Sequence, residues 1–165
     1  MSGNEGFERI AAGIDYPMYV VTTVAGVERS GCLVGFTTQC SIDPPRFVVC
    51  LSKANHTYRV AKDAPVLCVH LLRKDDEATA ELFGSETGDE IDKFARCAWS
   101  PGPHGAPVLD GALAWFAGRV LDRVDLGDHV GYVLEPLPGE GDARQEPGDF
   151  YSFRQGRRLE PGHPA

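Results

Sequence analysis

The sequence predicts a mainly β protein, an antiparallel barrel carrying a few short peripheral helices. Three observations carry this expectation. At least four short runs rich in β-branched and apolar residues come early in the chain, two long strands follow late, and nothing between them alternates regularly as strand, helix, strand. A doubly wound parallel sheet therefore fits poorly, and no internal repeat suggests a solenoid.

Residues 19–24 (YVVTTV) and 31–36 (GCLVGF) read as a hairpin, because Ala25-Gly26 through Ser30 supply the turn. Residues 46–52 (RFVVCLS) and 66–72 (VLCVHLL) read as two further strands, each entered just after a proline. Between them, HTYRVAKDA forms a short helix that must end before Pro65. DDEATAELFG forms another, with acidic residues in its first turn and Gly84 at its end. After the Pro/Gly-rich stretch 100–111, the run ALAWFAGRVLDRVDLGDHVGYVLEPL reads as two long strands joined near Asp125 to Asp128. In the first of them Ala114, Phe116, Gly118 and Val120 make one apolar face, as a barrel wall requires. Residues 138–149 read as a mobile loop and FYSFRQGRRL as a last strand with a basic exit.

A chain of 165 residues buries one substantial core, so a single domain over 1–165 is expected, with its core at about 10–158. The 24 acidic residues outnumber the 16 basic ones, and no basic tract is interleaved with aromatics, which disfavours nucleic acid as a partner. An anionic ligand would need local amides and a few placed cations. No basic region followed by an apolar stretch opens the chain, and no run reaches the roughly 18 apolar residues of a membrane span, so a cytoplasmic, non-membrane protein is expected. The five cysteines form no CxxC pair and read as reduced core or near-core thiols. His56, His70, His104 and His163 show no zinc-like spacing, so no metal is expected. The absence of G-x-S-x-G and of G-x-G-x-x-G argues against a hydrolase elbow and a Rossmann site.

Three segments are distinctive: GFTTQCSIDPP at 35–45, LSKANHTYRV at 51–60 and LGDH at 126–129. ELFG at 81–84, DKF at 92–94 and Tyr151 to Arg157 support them. In this order and spacing the chain resembles the flavin reductase-like family, over about residues 10–158. The resemblance implies an FMN-binding split β-barrel, a homodimer with flavin near its interface, FMN as cofactor with FAD admitted, and NADH or NADPH as co-substrate. It also implies hydride transfer from the nicotinamide to the flavin, with a monooxygenase as a candidate partner for the reduced flavin. A flavin-dependent oxidase of the same fold stays open, as does a non-catalytic flavin or haem carrier with His56 or His129 as axial ligand.

Independently of the family, a flavin needs a flat slot, N–H donors at its pyrimidine edge and an anion site. The resemblance places Phe36, Thr37, Thr38, Gln39, Cys40 and Ser41 along the ring, where small hydroxyl residues let it approach the backbone. Ser52, Lys53, Asn55, His56 and Thr57 gather donors and one cation before a helix start, the expected phosphate site, although Asn55 or Thr57 equally suits a plain helix cap. Phe83, Lys93, Phe94 and Tyr151 complete the expected cofactor set by resemblance. His129, at a strand entrance after Gly127-Asp128, is the expected catalytic residue beside the nicotinamide. Arg154, Arg157 and Arg158 suit either a phosphate or a plain basic tail.

Overall fold

The computed structural model describes residues 3–143 and 149–162. Among the described residues nine strands form: β1 Tyr19–Ala25, β2 Glu28–Val34, β3 Thr37–Ser41, β4 Arg46–Ser52, β5 Val66–Leu71, β6 Trp99–Pro101, β7 Pro107–Leu109, β8 Ala114–Asp125 and β9 His129–Ala143. The helices are α1 Glu5–Gly13, α2 His56–Ala61, α3 Glu77–Ser85 and α4 Phe153–Gly156. Seven strands make one sheet in the order β2-β1-β5-β8-β9-β4-β3, every pair of neighbours antiparallel; β6 and β7 pair separately.

The sheet curls around its core. Val21 of β1, Cys32 and Val34 of β2, Val49 and Leu51 of β4, Leu67 and Val69 of β5, and Tyr132 and Leu134 of β9 all pack into one buried cluster, although β2 and β4 stand far apart in the strand order. Burying one face of β1, β2, β4, β5 and β9 against one another is what drives the closure. The hydrogen-bond ladder itself does not close: among the described residues β2 and β3 remain the sheet's edges. The Cys50 N–H donates to the Phe36 carbonyl at 2.9 Å, pinning the link between β2 and β3 back onto β4.

The β1–β2 hairpin forms at the expected place, but with a two-residue turn, because Ala25 pairs with Glu28. Gly26 at its first central position has φ of 61°, a conformation a side chain resists. As a result β2 starts earlier than 31 and ends at Val34. The expected strands at 46–52 and 66–72 form, the second ending one residue early at Leu71, as do the helices before Pro65 and after Asp76 and the long β8–β9 pair. Asp76 caps α3 by accepting from the Thr79 N–H at 3.2 Å.

Three expectations change, and 37–41, to which the sequence assigns no element, gains one. The segment 150–159 is not a strand: Phe150 and Ser152 make single bridges, and a capping box between Ser152 and Gln155 turns the chain into α4. Residues 138–143 belong to β9 rather than to a loop, because pairing of Ala114 with Ala143 and of Phe116 with Gly141 supplies the backbone partners that a Pro/Gly-rich sequence conceals; residues 144–148 lie outside the described ones. Polar 37–41 forms an edge strand, sustained by β4 alone. Cys40 on that strand is exposed, not near the core, whereas Cys32 and Cys68 are buried and burial pushes the Cys68 thiol up to about 12. Helix α1 and the β6–β7 pair had no strong signal in the sequence.

Two groups hold the second layer in place. His70 is fully buried; its Nδ1 donates to the Val20 carbonyl at 2.9 Å and its Nε2 accepts from the Leu109 N–H at 3.0 Å, so one imidazole ties β1, β5 and β7. At the other end, Arg154 and Arg157 donate to the carbonyls of Gly13 and Ala12, meeting the negative end of α1. No described helix is long and apolar enough to cross a membrane.

Candidate functional site

A cleft of about 270 Å³ opens where β2 turns toward β3. One side is the Val34-Gly35-Phe36 corner with Tyr16 and Met18; the floor is Cys50 and Ser52 of β4; the far side is Phe83 and Gly84 of α3, the Glu86-Thr87-Gly88 turn and Lys93. His129 and Asn55 stand at one end, Phe153, Gly156, Leu159 and Pro161 at the other. The antiparallel pairing of Ser52 with His129 sets these two side by side.

Of the residues expected from sequence, the cleft gathers Phe36, Ser52, Asn55, Phe83, Lys93 and His129. Asn55 also caps α2, accepting from the Thr57 N–H at 2.9 Å. Thr57 is buried behind the wall, its hydroxyl 2.8 Å from that of Ser30. His56 and Phe94 face a neighbouring depression that shares Lys93 and Gly88 with the cleft. Tyr151 is fully buried in the core cluster beside Val20 and Leu72. Thr37 and Thr38 lie on edge strand β3, and Gln39, Cys40 and Ser41 line a separate shallow depression with Ile42 and Asp43. The Lys53 ammonium is paired with Asp125 at 2.9 Å rather than turned to the cleft.

Lys93 is the cation built into the cleft wall. It is only 5% exposed, donates to the carbonyls of Gly31 at 3.1 Å and Phe83 at 3.3 Å, and lies 5.5 Å from the Phe83 ring. Burial lowers its pKa below the ordinary lysine value, because a desolvated ammonium is disfavoured. Among the described residues no carboxylate forms an ion pair with it. His129 is oriented from outside: its Nδ1 lies 2.7 Å from Asp128 Oδ1, and its ring sits 5.2 Å from that of Phe36. The bond to His129 holds the Asp128 carboxyl below its usual range. Nε2 is then the ring nitrogen left to meet a ligand.

Two parts of the cleft were missed in the sequence. Tyr16 and Phe153 stack at 4.7 Å with 14° between planes, from segments far apart in the chain and with no local pattern to join them. The Thr87-Gly88 turn had a signal, Ser85 to Gly88 directly after a helix, which reads only as punctuation until its position is known.

A flat aromatic ligand with an anionic tail fits this donor set: aromatic walls from Phe36, Phe83 and Phe153, hydroxyl and amide groups from Ser52 and Asn55, and one buried ammonium. Comparison with known proteins bears on which ligand. The model of the flavin reductase like domain matches residues 11–159. The chain belongs to the flavin reductase-like family. This flavin reductase-like chain is 34% identical over 110 residues to the FMN reductase (NADH) RutF of Agrobacterium fabrum, covering 67% of the chain and 63% of that relative. It is 31% identical over 157 residues to the FMN reductase (NADH) RutF of Methylorubrum extorquens, covering 94% of the chain and 73% of the relative. Its fold matches nitrilotriacetate monooxygenase component B from Mycobacterium thermoresistibile with a TM-score of 0.76 at 23% identity, over 98% of the chain and 92% of that structure.

Proposed function

We propose that this flavin reductase-like domain is an NADH-dependent flavin reductase that moves hydride from a reduced nicotinamide to FMN, with FAD and NADPH as the lesser alternatives. The observation that carries the reading is the pairing, in one cleft, of aromatic walls with a buried lysine at the wall and an oriented histidine at the mouth. The names of the RutF relatives supply the same substrate pair, NADH and FMN.

In this reading the flavin supplies the hydride acceptor when bound. Phe36 and Phe83 cover its apolar surface, Ser52 and Asn55 offer hydrogen bonds, and Lys93 takes the anionic end. Asp128 keeps His129 turned so that Nε2 can hold the nicotinamide carboxamide, which is a matter of orientation more than of proton transfer. Thr57, Phe94 and Tyr151 then serve as buried supports of the wall, while Thr37 to Ser41, which lie outside the cleft on edge strand β3, have no part in it. The curled, open-edged sheet is read as a split barrel, a single domain working as a cytoplasmic homodimer. The exposed Phe7 and Ile10 of α1 and Ile14 just after it offer such a dimer apolar surface to bury. The likeness to a monooxygenase component fits a partner oxygenase that takes the reduced flavin.

The test is direct. FMN titrated into the protein is expected to bind at micromolar levels, and anaerobic NADH to bleach the bound flavin; a protein that takes up neither FMN nor FAD defeats the proposal. Exchange of His129 for Ala is expected to slow flavin reduction about tenfold, the order of one lost hydrogen bond, while FMN affinity changes much less. Stopped-flow reduction beside an FMN titration reads both, and the reverse pattern would move His129 to the flavin.

A further inference from the structure

The polar end of the cleft is made from two pieces that the chain does not join directly. One is Asn55 at the start of α2; the other is the Thr87-Gly88 turn after α3. Behind them lies a set of side-chain bonds that no step of hydride transfer uses. Arg59 Nη2, in α2, donates to both oxygens of Asp89, at 2.5 and 2.6 Å. His56 Nδ1 lies 2.8 Å from Asp89 Oδ1, and its Nε2 lies 3.1 Å from Glu28 Oε1 of β2. Asp89 in turn fixes its own turn: its N–H donates to Thr87 Oγ1 at 3.2 Å, and the N–H groups of Glu90 and Ile91 both reach the Thr87 carbonyl at 3.2 Å. Gly88 lies so close to His56 that an added Cβ would sit 2.8 Å from the ring's Cδ2. The Asp89 carboxyl is held down at about 2, first by Arg59 and then by His56, so it stays ionised at any working pH.

From this geometry we infer that Asp89 is a positioning residue for ligand binding: gripped by Arg59 and His56, it sets the gap between Asn55 and the Thr87-Gly88 rim. The inference rests on the cleft being the flavin site. Arg59 and Asp89 are about half exposed, 48% and 52%, and exposed pairs add little to global stability. Their loss should therefore appear in the fit of the cleft and not in the fold. His56, which the sequence suggested as a direct cofactor ligand, acts here through the rim.

Asp89→Asn, Asp89→Glu, Arg59→Gln and the Asp89→Asn/Arg59→Gln pair, made in the full chain, test this by FMN titration, steady-state kinetics and thermal unfolding. Asp89→Asn is expected to raise both the FMN Kd and the FMN KM about five- to tenfold, with kcat at saturating FMN and the unfolding midpoint close to wild type. Arg59→Gln should do the same, the pair should add little to either, and Asp89→Glu should recover most of the affinity. An Asp89→Asn protein whose FMN affinity stays within about twofold of wild type overturns the inference, as does a loss of kcat without change in KM. Failure of the wild-type protein to bind FMN at all would instead overturn the functional reading, and the inference with it.

Discussion

Between pH 6.5 and pH 4 the folded protein is expected to lose about 3 kcal/mol of stability through His70 alone. The imidazole is fully buried, and both of its nitrogens are committed, Nδ1 as donor to Val20 and Nε2 as acceptor from Leu109. A second proton would have to displace the Leu109 N–H, and the resulting charge would sit without water. Burial is accordingly the main cause that pushes the His70 pKa down to about 4, with the bond to Val20 opposing it. In the unfolded chain the same group takes its proton near pH 6.5. The unfolded state therefore binds the extra proton across that interval and the folded state does not. Stability is full well above pH 6.5, declines as pH falls from there to about 4, and levels off only below the folded pKa. Urea unfolding at a series of pH values measures it, with His70→Gln as the comparison. The glutamine variant, which has no titrating group at 70, should show a much flatter profile over this window. An equal slope in both proteins would show that another group is responsible.

The second large effect concerns the anion. Lys93→Met is expected to weaken FMN binding by about 1–3 kcal/mol, or roughly ten- to a hundredfold, while Lys53→Met changes it less than about twofold. The contrast follows from where the two ammonium groups are. Lys93 is buried in the cleft wall with two carbonyls as acceptors and no carboxylate at ion-pair distance among the described residues, Glu86 acting on it only from farther off, so a bound phosphate would meet a cation with no direct partner. Lys53 is already neutralised by Asp125, and bonding to Lys53 in turn holds the Asp125 carboxyl below its usual range. Met also removes the donor to the Gly31 and Phe83 carbonyls, so a lowered unfolding midpoint is expected beside the lost affinity, and the affinity is read at a temperature where both variants are folded. Isothermal titration with FMN on both variants decides the matter; stronger loss from Lys53→Met would place the phosphate at the α2 loop instead.

These two lysines also show how far the site could be read from sequence. Both sit in segments that resemble the family, and both carry the same charge. Their difference arises because the β8–β9 turn brings Asp125 over Lys53, a contact between residues 72 positions apart. No window of sequence contains it. Ser52 and Asn55 were legible from the donors gathered before a helix start, whereas Phe36, Phe83 and His129 were legible only through the resemblance of their segments to the family. The stack of Tyr16 on Phe153 was not, since each aromatic alone has the appearance of a strand residue.

Sequence alone determined the class of the fold and most of its strands. Alternation with period two, β-branched residues and Gly or Pro at the turns act within a few neighbours, and they set β1, β2, β4, β5, β8 and β9 wherever the rest of the chain lies. It determined in the same way that a helix would begin near Asn55 to Thr57, and the structure makes Asn55 its cap. Tertiary structure alone decided that polar 37–41 would be an edge strand, that 150–159 would bend into α4, and that β9 would run on to Ala143. Each of those outcomes depends on a backbone partner or a cap supplied from elsewhere, and an N–H or C=O takes the partner that folding brings to it.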